Sequence, residues 1–314
     1  MIRSLWWSAR TQGDPPFDTA HLKIYYRAKA EGTDAERLTG TFPPAPGRHP
    51  VVVFASGVNV AQDSYRTLAV ALAEAGFVVV TFDRVAELFG GQYGLTPGVD
   101  LDAARPDAYG TRPTCPTIPA ILAALEEIPL LEGFLDLDRI ALGGHSAGGT
   151  VVLQSARFFP GVRACFGYGT HTMVATMLGW PAGTVLAAQA DCPVLLGVGT
   201  RDGVILGSSD RYGQDGHADP VARTFDEALP KGHEHLLAVL DGANHFTVAD
   251  PADPTAARAF LDQEPERDPA ESRTAFSDLL VAFLRAHLLE DPEPLARLRE
   301  RPPSAFSSLR ERPC

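Results

Sequence analysis

Short β-branched runs alternate along this chain with longer amphipathic or Ala/Leu-rich stretches. The runs at 22–26, 51–54, 77–82, 139–142, 162–166, 193–198 and 235–240 predict strands. The run at 77–82 shows no in–out alternation, which requires burial on both sheet faces and makes the central sheet mostly parallel. Between the strands, 64–75 predicts a helix with Leu68, Leu72 and Ala75 on one face, Asp63 as its cap and Gly76 as its stop. Further helices are expected at 118–127, 147–158 and 220–229. The last, at 274–287, turns Phe276, Leu279, Leu280, Phe283 and Leu284 inward. Repeated β-α-β units of this kind specify a doubly wound α/β sheet with helices on both faces.

Three stretches break the alternation: 84–116, rich in Gly, Asp and Pro; 169–191, holding His171, Met173, Met177 and Trp180; and the acidic 247–268. Loops this long inside a compact domain are usually functional or mobile. The motif LRERP recurs at 298–302 and 309–313 and is taken as a local duplication in a solvated end. The expected division is one domain over 1–290 and an Arg/Pro-rich tail over 291–314. Trp6 and Trp7 are expected to clamp the N-terminal strands.

Composition narrows the function classes. The chain has 314 residues, 27 Lys+Arg against 39 Asp+Glu, and a net charge of −12. That balance lacks the clustered basic surface of a nucleic-acid binder. Its apolar runs are too short to cross a bilayer, so no membrane span is expected. Four scattered cysteines and a start without a signal-length apolar core make a cytoplasmic protein with reduced thiols the expectation.

Candidate chemistry centres on Gly144, His145, Ser146, Ala147 and Gly148, between the strand at 139–142 and the helix at 147–158. A serine there occupies a tight strand-to-helix turn, its hydroxyl above the sheet and its small neighbours permitting a strained backbone. The plain alternative is a glycine-rich helix entry packed on the sheet. The strand at 193–198 runs out into Asp202, and that at 235–240 runs out into His245. All three residues would meet at one sheet edge. Ser146 would attack, His245 would take and return the proton, and Asp202 would fix the imidazole's tautomer. Asp202 could instead be a turn residue, with Asp210 or Asp226 supplying the carboxylate. Oxyanion donors are expected from the backbone N–H groups of Ala147 and of Val58, in the loop Ser56-Gly57-Val58-Asn59.

Other histidines carry less. His233 and His235 share a strand face but have no third ligand nearby, so a solvated strand start is expected and no metal. His145 should pack beneath the turn. His171 is either a pocket residue or a simple loop histidine. No stretch fits a phosphate or dinucleotide loop, so no cofactor is expected. Asn59, Phe89, Tyr93, His171, Trp180 and Phe246 are candidates to line a moderately open substrate cleft.

The runs VVVFASG from Val51, SYRTLAVALAEAGFVVVTFD from Ser64, GGHSAGG from Gly143, GTRDGV from Gly199 and DGANHF from Asp241 resemble the α/β-hydrolase superfamily. Within it the pattern is similar to the serine esterase branch of chlorophyllases, platelet-activating-factor acetylhydrolases and cutinase-like hydrolases. The resemblance spans roughly residues 20–290 and includes the chain order Ser, Asp, His. It implies an α/β-hydrolase fold with small lid insertions only, and a small-molecule ester substrate. Relatives usually carry His-Gly where this chain has Ser56-Gly57. Dienelactone hydrolases use a cysteine at the place of Ser146, which argues against that activity here. Secreted cutinase-like enzymes carry a leader and a late disulfide, neither evident in this sequence. The expected function is hydrolysis of a carboxylic ester, lactone or thioester through an acyl-enzyme. The alternatives are a biosynthetic acyltransferase or thioesterase, and a non-catalytic binding protein on the same fold.

Overall fold

In the computed structural model, which describes residues 1–88, 91–213 and 219–313, all seven predicted runs are strands of one open ten-stranded sheet. The strands are β1 (Ile2–Arg10), β2 (Thr19–Arg27), β3 (His49–Ala55), β4 (Val78–Glu87), β5 (Tyr93–Leu95), β6 (Leu135–His145), β7 (Val162–Tyr168), β8 (Val194–Gly199), β9 (His235–Leu240) and β10 (Phe306–Arg312). Their order is β1-β2-β4-β3-β6-β7-β8-β9-β10, with β5 paired to β4. From β4 to β9 every neighbouring pair is parallel. β1, β2, β5 and β10 add antiparallel pairings outside that block.

The helices are α1 (Asp34–Thr39), α2 (Arg66–Glu74), α3 (Thr117–Glu126), α4 (Ala147–Leu153), α5 (Gly203–Leu206), α6 (Pro220–Arg223), α7 (Pro269–Leu288) and α8 (Glu293–Glu300). Alternate residues of the central strands feed two cores. Val51 and Val53 pack with Ile118, Ile121 and Leu125 of α3 and Val151 and Val152 of α4. Val52 and Phe54 pack on the opposite face with Leu68 and Leu72 of α2 and Phe276, Leu279, Leu280 and Phe283 of α7. This two-sided burial is why the strand runs lack alternation. Among the described residues no helix is long and apolar enough to cross a membrane.

Several local expectations change. Asp63 does not cap α2; it lies in a 3₁₀ turn (Gln62–Tyr65) and its carboxylate accepts from Lys23 Nζ at 2.6 Å. The helix after Ser146 stops at Leu153, and that at 220 passes from α6 into a single π-helical turn (Thr224–Ala228). The last long helix starts earlier than expected, where Asp268 caps it and Pro269 occupies the first turn. Trp6 and Trp7 lie on edge strand β1, 58% and 38% exposed, so they are not a buried clamp; Lys23 Nζ sits over the Trp6 ring.

The expected solvated tail is the largest correction. Residues 293–300 form α8, which buries Leu295, and residues 306–312 form β10, antiparallel to β9. Arg312 fastens this edge by donating to the carbonyls of Phe225 at 2.8 Å, Leu229 at 2.6 Å and Pro230 at 2.8 Å. A charged side chain satisfying three carbonyls explains how so polar a strand holds its place.

Candidate active site

Parallel pairing puts the carboxyl ends of β6, β8 and β9 on the same sheet edge. β6 runs directly into Ser146, which adopts φ 54 and ψ −125 before α4 begins at Ala147. A non-glycine residue at positive φ is strained by about 1–3 kcal/mol and persists only where its surroundings fix it. Here the surroundings are tight. A Cβ at Gly144 would lie 2.4 Å from the carbonyl carbon of Gly148, and one at Gly148 would lie 2.1 Å from the Ala55 oxygen. The glycines of the motif therefore allow the turn to press against both α4 and the end of β3.

Asp202 follows β8 and His245 follows β9. The Nδ1–H of His245 donates to Asp202 Oδ2 at 2.9 Å, while Asp202 Oδ1 accepts the backbone N–H of Ile205 at 2.9 Å. Both side chains are buried, so the bond works without competing water. Gly169, just past β7 at φ 56, makes room for them: a Cβ there would stand 2.7 Å from His245 Nδ1. Of the alternative carboxylates, Asp226 is taken up by Arg310, and the Asp210 side chain lies outside the described residues.

A second carboxylate, which no sequence signal pointed to, joins these two loops. Asp262 Oδ1 accepts the N–H of Gly203 at 3.0 Å and of His245 at 3.2 Å. Burial, and next the Asp202 charge, push its carboxyl above the ordinary value. It sits in the acidic 247–268 stretch, where neither periodicity nor motif distinguishes one Asp from another.

On the other flank, the loop after β3 lies against the Ser146 turn. A Cβ at Gly57 would be 3.4 Å from Ser146 Cβ. Val58 follows, half-buried, and Ala147 opens α4, where its N–H has no intrahelical acceptor. Ser56 is buried with its hydroxyl unpartnered. Asn59, at φ 56, is bracketed to β5: its N–H donates to Leu95 O at 2.9 Å and its Oδ1 accepts Leu95 N–H at 3.0 Å.

The remaining pocket candidates divide. Phe246 is buried, edge-on to His245 with ring centroids 5.1 Å apart, so it supports the imidazole. Tyr93 is exposed and stacked on Phe17. Trp180 is half-buried, donating its indole N–H to Ala104 O at 2.8 Å. Phe89 lies outside the described residues. Among the described residues no group of three His, Cys, Asp or Glu could hold a metal ion. The expected solvated start of β9 is not solvated: His235 is buried, its Nδ1 accepting from Val194 N–H.

His171 is buried, its Nδ1 accepts the Met173 N–H at 3.1 Å, and Asp202 and His245 both act on it. Burial chiefly pushes its pKa down to about 4. The unfolded chain binds this proton near the ordinary value of 6.5, so the folded state loses stability as pH falls from 6.5 toward 4. Asparagine can keep the acceptor and cannot titrate. In urea unfolding, the stability lost between pH 7 and about pH 4.5 should therefore be smaller in His171→Asn by about 2–3 kcal/mol. Equal losses in the two proteins would refute this.

A family model described as the dienelactone hydrolase family matches residues 39–267. Bis(hydroxyethyl) terephthalate hydrolase of Streptomyces coelicolor is 26% identical over 204 residues, covering 64% of this chain and 52% of that protein. The chain thus spans about half the length of the curated relative it matches. Among solved structures, ferulic acid esterase from Streptomyces cinnamoneus is similar with a TM-score of 0.63 at 18% identity, over 98% of this chain and 96% of that one. At that identity the likeness shows the α/β-hydrolase fold.

Proposed function

The chain belongs to the dienelactone hydrolase family of the α/β-hydrolase superfamily, and from that membership and the three side chains above we propose that it hydrolyses carboxylic esters with Ser146 as nucleophile. The observation that carries the reading is the buried 2.9 Å bond between His245 and Asp202, at the sheet edge where Ser146 sits at positive φ. A carboxylate on Nδ1 leaves Nε2 as the imidazole's free base. His245 takes the Ser146 proton as the hydroxyl adds to the ester carbonyl, and the N–H groups of Val58 and Ala147 stabilise the oxyanion. Collapse expels the alcohol, which receives that proton, and leaves an acyl-serine. Water, deprotonated by His245, then releases the acid and restores Ser146.

The family name does not extend to a dienelactone substrate, because a serine stands at the nucleophile position. The name of the curated relative makes a hydroxyalkyl ester of an aromatic acid the first substrate to assay. The test combines fluorophosphonate labelling with peptide mapping, a p-nitrophenyl ester series and bis(hydroxyethyl) terephthalate. A single adduct on Ser146 with ester turnover is expected. An adduct elsewhere, or neither adduct nor turnover, would overturn the reading.

A further inference from the structure

Beneath Ser146 lies a buried set of groups that the reaction above does not use. His145 is fully buried, with its Nε2 3.0 Å from the backbone oxygen of His245 and its Nδ1 2.8 Å from the Tyr65 hydroxyl. The same hydroxyl receives the backbone N–H of Gly57 at 3.1 Å. Four segments meet in this way: the loop after β3, the 3₁₀ turn before α2, the end of β6 and the loop after β9.

The chemistry of the partners fixes every proton. A carbonyl oxygen only accepts, so Nε2 of His145 carries a hydrogen. Burial, and then the neighbouring His245, hold the His145 ring well below its ordinary pKa, so it is neutral and its Nδ1 is bare. A bare Nδ1 must accept, so the Tyr65 hydroxyl donates to it and spends a lone pair on Gly57. Burial also holds that hydroxyl protonated by pushing its pKa up. The result is one directed chain: Gly57 N–H to Tyr65 O–H to His145 Nδ1, then His145 Nε2–H to the His245 carbonyl.

We propose that Tyr65 and His145 are positioning residues that hold the Gly57–Val58 loop in register with the backbone of His245 across Ser146. The oxyanion donor and the base then stay in fixed relation while charge develops between them. The proposal rests on the reading of Ser146 as nucleophile. Phenylalanine at 65 would fill the same volume, so what matters is the direction of the bonds. Each segment carries other contacts, among them the Ala257 N–H to Val58 O bond at 3.4 Å, but the Tyr65–His145 chain links the Gly57 backbone to the backbone of His245 itself through buried side chains.

The test uses the full-length protein. Tyr65→Phe removes one oxygen and should lower kcat about 30-fold, with KM changed by less than about twofold and labelling of Ser146 slowed in proportion. His145→Leu removes both bonds and should lower kcat about 100-fold. His145→Gln supplies one acceptor and one donor, and should recover about tenfold of that loss. Wild-type kcat in Tyr65→Phe, or a glutamine variant no better than the leucine one, overturns the proposal. Should the leucine variant fail to fold, a glutamine variant poorer than Tyr65→Phe does the same. Independently of activity, ¹⁵N NMR of histidine-labelled protein should show His145 as the Nε2–H tautomer, and an Nδ1–H signal overturns the chain. Absence of any Ser146 adduct in wild-type protein would instead overturn the catalytic reading, which separates the two failures.

Discussion

Replacing Ser146 by alanine is expected to lower ester turnover about a million-fold and to abolish fluorophosphonate labelling, while the protein melts within a few degrees of wild type. The size follows from the proposed mechanism, in which the three side chains act as a unit. With no hydroxyl, His245 has nothing to deprotonate, and the residual rate comes only from binding and the donors of Val58 and Ala147. Stability should hold because alanine bears the same Cβ at φ 54 and removes only a half-buried hydroxyl. Ser146→Gly should be equally inactive but more stable, since glycine relieves the positive φ. Steady-state rates on a p-nitrophenyl ester, intact mass after labelling and thermal melts check all three statements. Turnover above about one per cent of wild type in the alanine variant would remove Ser146 from the nucleophile's role.

The parts of this arrangement that were legible in the sequence share a physical cause. A strand buried on both faces is apolar at nearly every position, so the cores of β3, β4 and β8 stand out as near-continuous runs. Residues that follow such runs are then placed at one edge of a parallel sheet without knowledge of any contact. That is how Ser146, Asp202 and His245 could be brought together on paper. β10 carried no such signal: of its residues only Phe306, Leu309 and Arg312 are even partly buried, a spacing of three that matches no strand face. It is held by Arg312, whose carbonyl partners lie more than 80 residues earlier. Polar pairings were equally silent. Tyr65 and His145 are 80 residues apart, and His145 and His245 are 100 apart. Periodicity reports which face of an element is buried; it does not report which atom a buried hydroxyl, imidazole or carboxylate will meet. Asp262 carries no sequence signal for that reason, and Asp63 resembles a helix cap in sequence because Lys23, its partner, lies 40 residues away.

The carboxylate of the set admits a sharper test than simple deletion. Asp202 uses its two oxygens for different donors, Ile205 N–H and His245 Nδ1–H. Asparagine offers one oxygen and one NH₂ group. If its oxygen takes Ile205, the NH₂ faces Nδ1, which must then lose its hydrogen to Nε2, where it blocks uptake of the serine proton. In the reverse orientation the NH₂ group opposes the Ile205 N–H, two buried donors face to face, at a cost of about 1–3 kcal/mol. The backbone therefore selects the first orientation and the wrong imidazole tautomer. Asp202→Asn is accordingly expected to fold normally and to lose about ten-thousand-fold in kcat. Asp202→Ala should lose comparable activity and also stability, because the Ile205 N–H is left without its acceptor. Urea unfolding beside steady-state kinetics separates the two variants. A loss of less than about tenfold in Asp202→Asn would mean that another carboxylate orients His245. Asp262 is then the group to examine, since it already accepts from the backbone of His245 and of Gly203. In that event the activity remaining in Asp202→Asn should vanish when Asp262→Asn is added. If Asp202 alone is the orienting group, the second substitution should change the residual rate little.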